Sequence, residues 1–186
     1  MIDRIVRAIR LDWTVFREIA QDREAMKQAA IIVIVVTFLS ALGGTGGLLI
    51  AQVDAGTAIL GFFVDWFING ILIGWIGWAV LTYLVGTILF KGQTDVQEMM
   101  RVLGYASAPR LLGLFGFIPC IGGLIAIAGW VLSLIAGIIA IREAMDFDTG
   151  NAIITVVISW IAAFVLALII NSIFGMGIAL GSGLFG

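Results

Sequence analysis

Residues 111–141 read LLGLFGFIPCIGGLIAIAGWVLSLIAGIIAI, 31 consecutive positions without a charged side chain. A helix crosses the hydrocarbon core of a bilayer with about 20 apolar residues, because the core is about 30 Å thick and each residue rises about 1.5 Å. The run is therefore longer than one crossing needs, and it is interrupted by Pro119, Cys120, Ile121, Gly122 and Gly123, a string that favours a turn. It is expected to fold back on itself, with a short span ending near Ile118 and a second over about 124–141. Arg110 stands immediately before the run. The first arm approaches a crossing's length only if it begins near Tyr105, with the Arg110 guanidinium snorkelling toward the headgroups.

The rest of the chain has the same character. Of its 186 residues 62% are hydrophobic and 12% charged, about half the roughly 25% charged share of soluble domains. Uncharged runs between Lys27 and Asp54, between Asp65 and Lys91, and after Asp148 give three more spans, over about 28–50, 66–90 and 152–172. The piece Ala55 to Val64 is too short to cross by itself and, with Phe62, Phe63 and Trp66, is expected as an interfacial lead-in. The expected fold is an all-α integral membrane protein: an N-terminal amphipathic interfacial helix over 1–27, a five-span membrane domain over 28–175, and a Gly-rich tail over 176–186. Nothing in residues 1–27 reads as a signal peptide, since charge runs through the whole segment.

Charge placement gives a direction. With five spans, residues 1–27, 91–110 and 142–150 share one side and hold 6, 3 and 1 Lys or Arg, while the opposite side holds none. The positive-inside rule then puts the N-terminus in the cytoplasm and the C-terminus outside, in a multi-pass protein of the cell membrane.

The segment 1–27 carries Ile2, Ile5, Val6, Ile9, Trp13, Phe16 and Ala20 on one helical stripe. Two readings fit: the stripe lies in the headgroup region, or it packs on the protein's own loops or on a second copy. Thr94 followed by Gln97 has the form of a capping box, and Val96, Met99, Met100 and Leu103 continue as a short amphipathic helix. Gly104 to Arg110 then form an elbow into the third span, because the residue before Pro109 is pushed away from helical geometry. Residues 142–150 read as a solvated turn with Asp148, Thr149 and Asn151 capping the last span.

Composition excludes much chemistry. No histidine is present, which removes the usual general base and the commonest metal ligand. The single cysteine, Cys120, reads as a small apolar residue. A formal charge of −2 does not suggest nucleic-acid binding. Ser107, Ser133 and Ser159 have no base beside them in sequence, and Asp146 with Asp148 lacks a ligand cluster. No catalytic residue, cofactor or metal is expected. Asp65 and Arg110 are expected at span ends on opposite faces of the membrane, as interfacial anchors. The glycine pairs Gly43 with Gly47, Gly70 with Gly74, and Gly177 with Gly181, together with Gly77, are expected to let helices approach closely, within the chain or between copies.

From Lys91 onward the stretch KGQTDVQEMMRVLGYASAPRLLGLFGFIP, the glycine-containing turn, and GWVLSLIAGIIAIREAMDFDTGNAI resemble the Yip membrane domain, named from Ypt/Rab-interacting protein. Tyr105, Ala106, Ser107 and Pro109 are the distinctive part, and RLDWTVFREIAQDREAMKQAAIIVIVV is similar to N-termini of prokaryotic members. The resemblance implies five spans and a cytoplasmic N-terminus, while the two cytoplasmic amphipathic segments and the absence of reactive residues point to a non-enzymatic scaffold or adaptor that meets membrane lipid and either a protein partner or a second copy. Gly104, Tyr105, Ser107, Pro109 and Arg110 become candidates for the partner surface. A small transporter or channel would instead need Thr37, Ser40, Asn69, Thr82, Ser133, Thr155 and Ser159 to face one continuous wet cavity, and an accessory subunit of a larger complex is a further alternative.

Overall fold

A computed structural model describes the backbone of residues 1–50, 54–117 and 122–185, and the side chains of 1–43, 54–112 and 123–173. The described residues are mostly helical, with no strand among them. Two short helices, α1 (Ile2–Ile9) and α2 (Trp13–Gln21), precede α3 (Ala25–Ile50). A continuous helical run follows, made of α4 (Ala55–Phe63), a π-helical stretch (Val64–Gly77) and α5 (Trp78–Phe90). Next come α6 (Val96–Ala106), a 3₁₀ segment (Ala108–Phe117), α7 (Gly122–Met145) and α8 (Thr149–Phe185). Four helices among the described residues are long and apolar enough to cross a membrane: Ala25–Gly43, Ala55–Phe90, Gly123–Met145 and Thr149–Ile173.

Residues 1–27 hold two helices and the start of α3 rather than one amphipathic helix, because the chain turns at Leu11, whose φ is +60°. Asp12 then restarts the helix by accepting a hydrogen bond from the Thr14 amide at 2.9 Å. The apolar stripe divides as a result. Val15, Phe16, Ile19 and Ala20 are buried, Ile5 and Ile9 pack against the same core, and Ile2, Val6 and Trp13 remain exposed. The largest fully buried side chains include Tyr105, Phe16, Ile19, Met99, Leu103 and Ile141, from α2, α6 and α7. The tightest core of the molecule is thus a cap at the charged end of the helices.

Three local features differ from the sequence expectation. Residues 55–64 are not a separate lead-in: they continue into the span, so Asp65 lies inside a helix of 36 residues. The N-cap of α6 is Asp95, which accepts from the Glu98 amide at 2.7 Å, while the Thr94 hydroxyl bonds the Glu98 carboxylate at 3.0 Å. The 3₁₀ segment has 10 residues, which at about 2.0 Å per residue reach about 20 Å, less than the core thickness. Asp148 does cap α8, accepting from the Gly150 amide at 3.0 Å and the Asn151 amide at 3.4 Å.

The π-helical stretch explains its own glycines. A Cβ on Gly74 would stand 2.7 Å from the Asn69 carbonyl, and one on Gly77 would stand 3.1 Å from that of Leu72, in each case the carbonyl five residues earlier. The wide turn crowds the carbonyl against the position a side chain would occupy. Gly70 alone of the three meets a different helix at close range, with Thr37 Cβ of α3 at 2.7 Å. A Cβ on Gly43 would meet no described atom within 4 Å. The side-chain positions of Gly47, Gly177 and Gly181 lie outside the described residues, as do Pro119 and Cys120.

Candidate functional site

The cap is fastened to the membrane helices by charge and by close packing. Arg17 of α2 lies 3.0 Å from Glu143 of α7 and 3.8 Å from Asp146. Glu143 also accepts from Arg142 at 2.7 Å, and its side chain is only 5% exposed. Arg17 approaches the other carboxylate oxygen, Oε2, without hydrogen-bond alignment, so the contact is electrostatic. The buried Arg101 of α6 donates to the Ala20 carbonyl at 2.7 Å, in the last turn of α2, where cations offset the helix dipole. Within the cap, Arg7 donates to Asp12 at 2.9 Å, to Thr14 at 2.8 Å and to both oxygens of Glu18 at 3.0 and 2.9 Å. The Thr14 hydroxyl and then the Arg7 guanidinium hold the Asp12 carboxyl at about 2, below the usual carboxylate range. Arg4, at 2.6 Å, likewise lowers Asp22.

The elbow residues sit beneath this cap. A Cβ on Gly104 would be 2.7 Å from that of Ala29, so α6 and α3 touch there along their backbones. Tyr105 is fully buried and its hydroxyl donates to the Gln28 side chain. Ser107 is half-buried and donates to the Gly104 carbonyl at 2.7 Å. Pro109 is buried, with its carbonyl 2.8 Å from where a Cβ on Gly129 would lie. Of the five, only Arg110 is exposed.

Arg110 is also the residue that departs furthest from its sequence reading. It lines two cavities, of about 230 and 280 Å³, and the second also includes Val36, Leu39 and Ser40 of α3. Val36 and Ser40 stand nine and thirteen residues beyond Lys27, the last charge before the apolar run, a depth of about 14 to 20 Å at about 1.5 Å per residue. Arg110 therefore stands level with the interior of the α3 span rather than with its charged end. Asp65 has its carbonyl 3.3 Å from where a Cβ on Gly70 would lie, and Gly70 lines the 230 Å³ cavity with Arg110, so the two charged residues flank one cavity. The reason is the early start of the helical run, which carries Asp65 inward, and the steep path of the elbow, which carries Arg110 in from the cap.

The polar residues of the spans do not share one cavity. Thr37, Asn69 and Ser133 line the 230 Å³ cavity with Arg110, whereas Ser40 lines the other. Thr82, Thr155 and Ser159 are buried. There Ser159 accepts from Trp78 Nε1 at 3.2 Å and from Thr82 at 3.1 Å, tying α5 to α8. Asn69 and Asn171 form a reciprocal amide pair at 3.2 and 2.8 Å. These are interhelical bonds of the kind that hold helices together in lipid. The sequence pattern points to Asn69, Thr82 and Ser159 without pairing them and leaves Asn171 out, although an Asn inside a span must find a partner. No group of three or more Cys, Asp or Glu among the described residues could hold a metal.

Four long apolar helices, a short helical segment folded back beside them and a packed polar cap define a multi-pass integral membrane protein. The Yip1 domain model matches residues 14–170, and the chain belongs to that family, whose members are generally non-enzymatic membrane proteins. Neither a curated protein nor a solved structure matches the chain.

Proposed function

We propose that the chain is a non-enzymatic scaffold or adaptor of the Yip type in the cell membrane, meeting partners through its cap on the cytoplasmic face. The observation that carries this reading is the cap's exposed apolar edge. Ile2 is 75% exposed and Trp13 48%, with Val6 also exposed, while α2 is fastened by Arg17 on Glu143 and by Arg101 on the Ala20 carbonyl. A fixed apolar edge at the water boundary suits the headgroup layer or a second protein. Gly104, Tyr105, Ser107 and Pro109 serve the partner surface from beneath, by holding α6 against α3 at the angle that presents α1 and α2. Gly43 lines the 280 Å³ cavity beside Arg110 and Trp130, and an added methyl there would meet no described atom within 4 Å, which leaves room for close approach by another helix.

The topology we propose keeps five crossings, the third made by the elbow and the short 3₁₀ segment. The charge asymmetry supports it, since nine of the 10 Lys and Arg then lie toward the cytoplasm and the tenth, Arg110, enters the membrane from that side. Labelling of single cysteines at positions 95, 120 and 146 with an impermeant reagent tests the topology: 95 and 146 are reached from inside and 120 from outside. Labelling of all three from one face would refute five crossings. For the scaffold reading, photoreactive residues at positions 2, 6 and 13 in intact membranes should capture a defined protein or lipid. Uniform labelling by water would overturn it.

A further inference from the structure

We propose that Arg110 and the 230 Å³ cavity between Trp75, Trp130 and Trp160 form a binding site for the anionic head of a membrane lipid, a phosphate-bearing one, which enters between α7 and α8.

Among the described residues Arg110 makes no side-chain hydrogen bond and no ion pair. A guanidinium level with the interior of a membrane span carries a large desolvation penalty unless something meets its charge. Asp65, whose carbonyl adjoins Gly70 of the cavity lining, makes no hydrogen bond or ion pair with it among the described residues. The polar neighbours are committed elsewhere. The hydroxyls of Thr37, Ser107 and Ser133 donate to the carbonyls of Val33, Gly104 and Ala106 at 2.7, 2.7 and 2.8 Å, and Asn69 is paired with Asn171. The guanidinium is thus the one charged donor on the described lining, and its planar fork matches the oxygens of a phosphate.

The approach to the site selects a lipid over a dissolved anion. Trp130 of α7 is 45% exposed and Trp160 of α8 42%, with their rings edge to face at 6.4 Å; Phe164 stacks on Trp160 at 5.9 Å and is also exposed. These rings lie on the outward faces of two membrane helices and also line the cavity, so its mouth opens to lipid. An amphiphile can leave its acyl chains among these rings and extend its head inward. A free anion would first have to cross the apolar layer.

The test uses the full-length protein in mild detergent, incubated with equimolar dioleoyl phosphatidic acid and dioleoyl phosphatidylcholine and read by native mass spectrometry. Phosphatidic acid should be retained about tenfold over phosphatidylcholine, the weight of a hydrogen bond to a charged group. Arg110→Gln should abolish that preference. Asp65→Asn, which removes the nearby competing anion, should strengthen it, and a misfolded variant cannot produce such a gain. Equal retention of the two lipids by the unaltered protein, or an undiminished preference in Arg110→Gln, would overturn the site. Inorganic phosphate displacing phosphatidic acid at matched concentration would overturn the lipid as its occupant.

Discussion

The contact between Gly104 and Ala29 offers the sharpest measurement of how the cap is held. Adding one methyl group at position 104 would put its carbon 2.7 Å from Ala29 Cβ and 3.3 Å from Ala29 Cα and O, against the 3.4 Å at which ordinary contact begins. The main shortfall, 3.4 − 2.7, is about 0.7 Å, and the atom that must yield belongs to a backbone-anchored methyl, so α6 or α3 has to move. Overpacking of this kind costs about 1–3 kcal/mol. Alanine is also a better helix former than glycine by about 0.8–1.0 kcal/mol, which partly conceals the clash. Gly43→Ala supplies the reference, because its new methyl meets no described atom within 4 Å. The propensity gain is common to both variants and cancels, leaving the steric term. Thermal unfolding in detergent, followed by tryptophan fluorescence, should therefore place Gly104→Ala below Gly43→Ala by about 1–3 kcal/mol, each kcal/mol being worth about 2–4 °C at this chain length. Adding Ala29→Gly to Gly104→Ala removes the opposing methyl and should restore most of the loss, a coupling expected only for touching residues. Equal melting of the two single variants would refute the backbone contact between α6 and α3.

Other perturbations act on separate parts of the fold. Arg17→Ala leaves the Glu143 carboxylate with Arg142 alone; since Arg17 is half exposed, a loss of about 1 kcal/mol is expected, seen as faster amide exchange in α2 with α5 and α8 unchanged. Asp12 has a folded pKa of about 2, below its unfolded value, so its contribution is complete above about 4 and is lost as pH falls through the folded value. Glu18 and Asp22 are shifted in the same direction by Arg7 and Arg4. An acid titration of the α1 and α2 amides should thus show the corner loosening only toward pH 2, and Asp12→Asn should remove that dependence. Ser159→Ala takes the shared acceptor from Trp78 and Thr82 and should cost about 0.6–2 kcal/mol, with Thr82→Val adding little in the Ser159→Ala background.

Much of the membrane domain was legible because length and charge alone locate apolar helices. The spans near 28–50, 124–141 and 152–172 overlap the helices observed, and Asp148 caps the last of them. Sequence failed where tertiary partners decide. The interval between Asp54 and Asp65 looks too short to cross, yet it is the beginning of a longer helix, because the Asp54 side chain caps it by accepting from Thr57 and a single carboxylate does not stop an apolar helix. The stripe of residues 1–27 suits a bilayer and a protein core equally well, and it divides between exposure and the protein's own core because Leu11 turns the chain. Glycine spacing is the clearest case. Gly70 and Gly74 share the spacing of a helix-contact pair, but one faces α3 and the other its own Asn69 carbonyl. Spacing reports which residues share a face, not whether a neighbour stands there.

The molecule also divides by the force that holds it. In lipid, apolar side chains gain nothing from leaving their surroundings, so α5 and α8 depend on packing and on the bonds of Ser159, Asn69 and Asn171. The cap faces water and draws on the hydrophobic effect, which is why Phe16, Ile19, Met99 and Tyr105 are more completely buried than most side chains of the spans. The two regimes meet at the elbow. Tyr105 belongs to the cap core, and Arg110, five residues later, stands level with the interior of the α3 span. The intervening segment is braced by Ser107 on Gly104 and by Pro109 against Gly129, so it has little slack. The segment that carries Arg110 is thus held at its start by the cap core and at Pro109 by the α7 backbone, so its path is set by packing on both sides rather than by its own sequence.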